Sequence, residues 1–444
     1  MIIDVLKFGG TSVADAAALR SVLDIVSARS TNGARLLVVL SATAGTTNAL
    51  LELAAAAAQQ SSLVVAQSLQ QLRERHLQIV SDLIPDSAQR TQAHAAVSEL
   101  CDNLDEYCHG LSLLGECSPQ SFDEVVAYGE RLSTTIVAQA ARSFGINAAW
   151  LDVRHVMRTD ATYQQAAVDM DVTERQWAHR ATLFTNVDVV VTQGFIGAAP
   201  NGTTTTLGRG GSDYSAAVLG AVCSARIIDI YTDVSGVLSA DPRLVPSARP
   251  IATIDVAMMR ELALYGAKVL HPDTILPATS RNIPVRVVNT FEPSAPGTLI
   301  TAGGTDVNVV AVTGVRQCVR LDVAPADAAA VRNALTRRHL TVLLQCSTLT
   351  SESFVVQRPN DVTILDIESA VADASTVVHE CSMVVACSNA TLHHATAGRA
   401  LAELPDVPVS DVTWFPHGKS VALCVPPSAY SDVVLRLHQS LLDA

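Results

Sequence analysis

No apolar run in this sequence is long enough to cross a bilayer. The 444 residues are 49% hydrophobic, with a mean hydropathy of +0.29. Yet the apolar stretches are short and interrupted, well below the roughly 20 residues that a spanning helix needs. Alanine and valine supply much of that content, as α/β cores require. Positive charge is also scarce: 30 Lys and Arg against 43 Asp and Glu leave a net charge of −13. That argues against broad nucleic-acid binding, which needs a basic face. Any anionic ligand must therefore meet a local group of cations. Cysteine pairs are missing too. Nine cysteines are scattered with no CxxC, so reduced, mostly buried thiols in a cytoplasmic protein are expected, not a disulfide framework. No His, Cys and Asp grouping has zinc spacing. The start carries Asp4 and no basic stretch ahead of an apolar core, so no secretory leader is expected.

What is present is an alternation. Ile2 to Leu6 reads as a buried strand, and a helical run follows from about Ala14 to Ala28. Arg35–Leu40 reads as a strand, Ser41 to Thr47 as a turn, and 48–76 as a helix. Helical patterns cover about 88–115 and 121–143, and strands cover 148–153, 187–195 and 226–232. Strands alternating with helices imply a largely parallel sheet covered on both faces. A length of 444 residues accommodates roughly two or three domains. The Pro-, Gly- and Thr-rich stretch from Asn289 to Gly304 reads as a boundary. Beyond it two βαββ-like passes suggest a pair of small α+β modules.

Chemistry concentrates in a few places. Lys7-Phe8-Gly9-Gly10-Thr11-Ser12 occupies a strand-to-helix turn. There, backbone N–H groups and a helix N-terminus can hold an anion. Two glycines permit close backbone approach, and a lysine offers a point charge to phosphoryl oxygens. The Walker spacing is absent, and taken alone the hexamer fits a glycine turn with an exposed lysine equally well. Thr203 to Tyr214 combines four threonine hydroxyls, three glycines, Arg209 and Asp213. Its Gly210-Gly211-Ser212 opens a helix with Ser212 or Asp213 near the cap, beside an arginine suited to a carboxylate or phosphate. In Phe122 to Glu130 and onward, Glu130 and Ser133 share a helical face. A carboxylate there can bind an ammonium group, or be a solvated surface Glu. Tyr231 to Leu238, followed by Asp241-Pro242-Arg243, is a strand ending in a polar turn, where ligands of open α/β sheets bind. Tyr265 to Pro272 sets Lys268 beside a glycine, and His271 reads as packed or capping.

In this order, KFGGTSV, FDEVVAYGERLST, GFIG with TTTTLGRGGSDY, YTDVSGV with DPR, ELALYGAKVLHP and IPVRVVNTF closely resemble the aspartokinases of the amino-acid kinase superfamily. The resemblance spans about residues 1–300, and LDVRHVMRTD (151–160) makes it greatest to the single-function, lysine-sensitive branch. It implies an amino-acid kinase fold over 1–300, a largely parallel sheet between helices, followed by two α+β ACT-like modules over 301–444. It implies phosphorylation of the β-carboxylate of L-aspartate by ATP with Mg²⁺, the first step toward lysine, threonine and methionine. On the matching positions, Lys7 would contact the transferring phosphoryl oxygens, with Gly9, Gly10 and Ser41 in the phosphate cradle. Glu130 would bind the substrate α-amino group. Arg209 would bind a substrate carboxylate, assisted by Thr47 and Thr206, with Ser212 beside it. Asp213 would orient the reacting groups through Lys7. Thr232, Asp233, Leu238, Arg243 and Lys268 would line the nucleotide site, although an aromatic residue is the family's more usual choice near the base than Leu238. No resident metal site is implied.

The tail departs from the family. The glycine-containing turn expected between the first strand and helix of each module is not visible in Leu321–Asp327 or in Ser388–Leu392. Without that glycine, backbone access for an effector is poorer. Weak or absent lysine inhibition is therefore expected, with the modules serving chiefly to form a homodimer or higher homo-oligomer. No nucleic-acid or membrane partner is expected. A kinase of another acidic amino acid, a catalytically dead amino-acid sensor, and an aspartokinase devoted to one pathway remain open alternatives.

Overall fold

Short apolar runs become strands because Val, Ile and Leu suit a pleat buried on both faces. The structure, a computed structural model, describes residues 1–30, 33–267, 270–303, 310–372, 374, 376–389, 398, 401–415 and 419–442. Its contacts divide the chain into two compact units: Met1–Gly236 with His271–Ala302, and Val237–Leu270 with Gly303–Ala444. The segment 237–270 thus groups with the second unit, whereas the boundary read near residue 300 puts it in the first.

In the first unit the strands are β1 (Ile3–Phe8), β2 (Arg35–Leu40), β3 (Ala148–Leu151), β4 (Val189–Gln193), a separate hairpin of β5 (Ile196–Ala198) and β6 (Thr204–Thr206), and β7 (Ile227–Thr232). After β8 (Thr253–Asp255), which groups with the second unit, come β9 (Val285–Asn289) and β10 (Thr298–Thr301). The sheet runs β3-β4-β2-β1-β7-β9-β10, parallel except for the β9–β10 pair. The intervening helices are α1 (Ala16–Ser30), α2 (Thr46–Ala58), α3 (Ser62–Leu83), α4 (Ser87–Leu114), α5 (Pro119–Ser143), α6 (Met170–Arg180) and α7 (Gly211–Val222). The single helix read over 48–76 is two. Gln60, at φ 55°, ends α2 and redirects the chain into α3.

Side chains alternate across a strand, and this places the chemistry. On β1, Leu6 and Phe8 enter the core shared with α1–α5. Val5 and Lys7 point to the other face, where α7 packs; Lys7 reaches Asp213 on α7. Register aligns the strand ends: Phe8 lies opposite Leu40 and Tyr231, and Leu40 opposite Gln193. Polar residues that follow these strands therefore collect along one sheet edge, as in open α/β sheets generally.

Farther from that edge, an ionic network ties four elements. Arg29 on α1 bridges Asp4 (3.1 Å) on β1 and Asp229 (2.6 Å) on β7. Arg226 also reaches Asp4 (2.7 Å), and Arg286 on β9 reaches Asp229 (2.8 Å).

The second unit carries β8 with α8 (Val256–Leu264); α9 (Leu276–Thr279) belongs to the first. Then follow β11 (Val310–Val323), α10 (Ala328–Arg337), β12 (Val342–Ser347), β13 (Glu352–Gln357), α11 (Ile364–Ala370), β14 (Thr376–Ser388), β15 (Asp411–Trp414), β16 (Ser420–Val425) and α12 (Tyr430–Leu442). The sheet is antiparallel in the order β12-β13-β11-β14-β16-β15. Long β11 and β14 pair at its centre, with a bulge between Val315 and Cys318. Each begins one of two similar passes with its own apolar core. Most of the helix read over 390–404 lies outside the described residues.

Asp229 is fully buried between two guanidinium groups. Asp229→Ala leaves Arg286 without its carboxylate and Arg29 with Asp4 alone, and should cost about 3 kcal/mol in denaturant unfolding. A loss below about 1 kcal/mol, the range of a surface pair, would remove the network from the stability of this sheet.

Candidate active site

The strand ends enclose a cavity of about 360 Å³, lined among others by Lys7, Gly10, Ser41, Thr47, Glu130 and Arg209. Ser212 and Asp213 complete the set of expected residues on its wall. Stretches as far apart in sequence as Lys7 and Asp213 meet here because the parallel strands end together.

Two helices point their N-termini at this space. α2 follows Gly45 and α7 follows Gly210, both glycines lining the cavity. Gly210 has φ 73°, a left-handed turn that favours glycine. Neither N-cap makes a side-chain cap bond. The first N–H of each helix is taken, Thr46 by the Thr43 carbonyl and Gly211 by the Gly208 carbonyl. The next amides of each first turn remain for a ligand, and the positive end of each helix favours an anion.

The cations are distinct in kind. Lys7, one of three lysines in the chain, is buried and forms an ion pair with Asp213 at 2.6 Å. Asp213 stands in the first turn of α7, so the pair joins β1 to that helix. Arg209 lies exposed on the cavity wall, with no hydrogen bond or ion pair among the described residues. It is a guanidinium awaiting an anion.

Glu130 is the counterpart. Helix α5 approaches the 41–46 turn closely because Gly129 lacks a side chain: a Cβ there would come within 2.7 Å of the Ala42 Cβ. That approach lets Glu130 Oε1 accept the Ala42 N–H at 3.0 Å, while the Ser133 hydroxyl donates to the Ser41 carbonyl at 2.8 Å. Glu130 Oε2 is buried and has no hydrogen-bond partner among the described residues. Burial pushes this carboxyl up to about 8. Without a counter-charge it keeps its proton near neutral pH, and an ammonium group supplies both the charge that lets it ionise and the missing hydrogen bond.

The same turn is braced from behind. His76, fully buried, places Nδ1 2.8 Å from the Leu72 carbonyl. A carbonyl only accepts, so Nδ1 carries the proton and Nε2 accepts from the Thr43 hydroxyl at 3.3 Å. Burial lowers His76 to about 4, so the ring is neutral near pH 7. Thr43 Oγ1 in turn lies 2.6 Å from Thr46 Oγ1 at the start of α2. Arg75 donates to the Ala44 carbonyl at 2.7 Å.

A family model described as the amino acid kinase family matches residues 3–289. The chain belongs to the amino acid kinase family. Among its relatives, the lysine-sensitive aspartokinase 3 of Escherichia coli is 40% identical over 296 residues, 67% of this chain and 63% of that protein. An aspartokinase of Chlamydia trachomatis is 33% identical over 298 residues, 67% of this chain and 64% of that protein. The match thus spans just under two thirds of these relatives' lengths. In structure the similarity runs through the tail. E. coli aspartokinase III in complex with lysine and aspartate (T-state) superposes with a TM-score of 0.85 at 31% identity, over 99% of both chains. Its complex with aspartate and ADP (R-state) gives 0.79 at 31% identity, over 99% of this chain and 100% of that one. The second unit's antiparallel sheet is accordingly that of ACT modules.

Other expected positions in this amino acid kinase lie off the cavity wall. Gly9 donates its N–H to the Tyr231 carbonyl, beside Thr232 and Asp233 at the end of β7. The Thr232 hydroxyl donates to Asp233 at 3.0 Å. Thr206 is buried behind the wall, its hydroxyl donating to Asp123. Leu238 and Arg243 belong to the second unit. Leu238 bridges to Pro250, and Arg243 is exposed and paired with Asp241 at 2.7 Å. Lys268 lies outside the described residues. Sequence reading missed Thr43, His76, Arg75 and Phe195. Phe195 lines the cavity at φ 66°, rare for an aromatic, with its N–H held by the Ser215 hydroxyl at 2.9 Å. A helical His and a strand-end Phe carry no motif of their own.

Glu130 sets a pH dependence with a definite sign. Its folded value near 8 exceeds the ordinary carboxyl value of 4.5. Between those values the folded protein holds a proton that the unfolded chain has released, so stability falls as pH rises through this window. Glu130→Gln cannot titrate. In thermal melts without ligand, the variant should match the parent near pH 5 and gain several degrees over it by pH 8. A difference that does not change with pH would show that Glu130 is ionised throughout.

Proposed function

We propose that this protein transfers the γ-phosphoryl group of ATP to the β-carboxylate of L-aspartate, giving 4-phospho-L-aspartate. One observation carries the reading: a single cavity pairs the buried, half-satisfied Glu130 with the uncommitted Arg209, opposite Lys7 and two helix N-termini. An amino acid with two carboxylates has the complementary groups. Glu130 receives its ammonium, Arg209 one carboxylate, and the other carboxylate is left to face the phosphate side. The reported aspartate and ADP complex of the E. coli enzyme supports the same assignment.

The chemistry needs no general base. A carboxylate with a pKa of about 4 is already ionised at pH 7. The difficulty is bringing one anion against a polyanion, so catalysis rests on charge neutralisation and alignment. Lys7 supplies a charge from β1, and Asp213 holds its ammonium in place. The α2 and α7 amides supply fixed dipoles at the opening. Gly10 and Ser41 let phosphate oxygens approach the backbone. Among the described residues no three His, Cys, Asp or Glu side chains gather to cage a metal. Mg²⁺, which keeps waters and favours phosphate oxygens, fits here as a companion of the nucleotide, with Asp213 the nearest carboxylate to the Lys7 side. When bound it neutralises phosphate charge.

For the tail, we infer a homodimer or higher homo-oligomer and weak effector control. The turn Ala324–Asp327 between β11 and α10 contains Pro325 and no glycine. The comparable Ala390–Leu392 of the second module lies outside the described residues.

A hydroxamate-trapping or ADP-release assay should show turnover with aspartate and far less with glutamate; equal turnover would make the acceptor a broader class. Lys7→Met should lower kcat by about a hundredfold or more while aspartate still binds, and near-normal turnover would remove Lys7 from the phosphoryl contact. Arg209→Ala should act mainly on the KM for aspartate, so an unchanged KM would take it out of the acceptor site. Millimolar lysine or threonine should inhibit little, and strong inhibition by either refutes weak control.

A further inference from the structure

Asp123 stands on α5 two turns before Glu130, and no step above uses it. It is completely buried, yet every partner it has is uncharged. Oδ2 accepts the backbone N–H of Gln164 at 2.9 Å and of Thr206 at 2.8 Å, and Oδ1 accepts the Thr206 hydroxyl at 2.9 Å. It has no cationic partner among the described residues. Burial raises this carboxyl above its ordinary value even against those three bonds. A buried carboxylate without a counter-charge is costly. What it does must therefore depend on gathering several donors at one point.

Those donors frame the loop that carries Arg209. Thr206 ends β6, three residues before Arg209. Its carbonyl accepts the Ala166 N–H at 2.9 Å, so the 164–166 segment and the strand end are tied twice. Gln164 sits at φ 72°, a left-handed conformation that a side chain bears only when its surroundings hold it there. Its carbonyl oxygen lies 3.2 Å from where a Cβ on Gly208 would be, so Gln164 also bounds the space of the glycine-rich turn. Asp123 holds both sides of that frame. Seven residues on, along the same helical face, Glu130 holds the 41–42 turn through Ala42 and lines the cavity, its other oxygen without a hydrogen bond among the described residues.

We propose that Asp123 is a positioning residue for the acceptor: through Thr206 and Gln164 it sets the Arg209 loop at the distance from Glu130 that an amino dicarboxylate spans. One rigid helix then carries both references, Asp123 for the carboxylate site and Glu130 for the ammonium site. The proposal rests on the aspartate reading of the cavity. Asp123 does not touch the acceptor and does not line the cavity.

The test uses the full chain as parent, Asp123→Ala and Asp123→Asn, with three readouts. These are the affinity for L-aspartate by calorimetry, the affinity for ADP, and hydrogen exchange of the peptides covering 203–213. Asp123→Ala should weaken aspartate by about tenfold or more, as expected for a misplaced anchor, leave ADP within about twofold, and speed exchange in 203–213. Asp123→Asn can turn its amide oxygen to the two N–H groups and its NH₂ to the Thr206 hydroxyl. It should stay within about threefold of the parent for aspartate. Equal loss of aspartate and ADP, parent-like aspartate binding by Asp123→Ala, or equal damage in both variants would overturn the proposal. If Asp123→Ala does not fold, Thr206→Val removes only the hydroxyl bond and should show the same split at smaller size; no split there overturns the proposal. If the parent itself binds no aspartate, the acceptor reading fails. Exchange then decides the rest: unchanged protection of 203–213 in the variants overturns the positioning role, and quickened exchange upholds it.

Discussion

The ion pair between Lys7 and Asp213 joins the first strand to the helix that faces it, across the place where charge must be managed. Its separation of 2.6 Å holds the two charges together before any ligand arrives. The rest of the site is arranged around what this pair leaves free. Among the described residues Arg209 is open to an anion, and Glu130 keeps one oxygen unpartnered. The chain as a whole carries a net charge of −13, so a polyanion entering this cavity depends on the local cations to offset the field of the rest of the molecule.

Helix α5 gives that arrangement its rigidity. It is long, it packs against α2 and α4, and it touches the site through backbone-directed side chains: Asp123 to the 206 strand end, Glu130 to Ala42, Ser133 to Ser41. From the other side α3 braces the same turn through Arg75 and His76. Loops that meet a ligand are thus held by helices that do not. Preorganisation of this kind spares the reacting groups the cost of being ordered during the reaction. The paired β11 and β14 of the second unit follow a different logic. Two similar passes share one antiparallel sheet, so the modules form a continuous surface and not two separate domains.

Much of the site was legible in the sequence because its residues sit in short, unusual strings. KFGG, GRGGSD and the Glu130 segment each combine glycines with charge in ways a plain core does not need. Strands were legible for the same reason that they are buried: Arg35–Leu40 and Ile227–Thr232 are nearly unbroken apolar runs. The break between α2 and α3 was not, because a single Gln60 in the left-handed region leaves the surrounding helical pattern intact. Thr206 was singled out as a substrate contact, yet its hydroxyl faces Asp123, since strand alternation and register decide which way it turns.

By itself the sequence determined which chemistry this protein can hold: a lysine and glycines after the first strand, an arginine and aspartate opening a helix, a glutamate on another. It also determined the family, because those strings occur together and in order. Only the tertiary structure decided which of these groups meet. Packing at Gly129 buries Glu130 and lifts its carboxyl toward 8, and that shift exists only where water has been excluded. The grouping of 237–270 with the second unit, the bracing by His76 and the three bonds to Asp123 likewise depend on contacts between distant stretches. Local sequence specifies donors and acceptors; which of them come within 3 Å of one another is settled by how the sheet and its helices close.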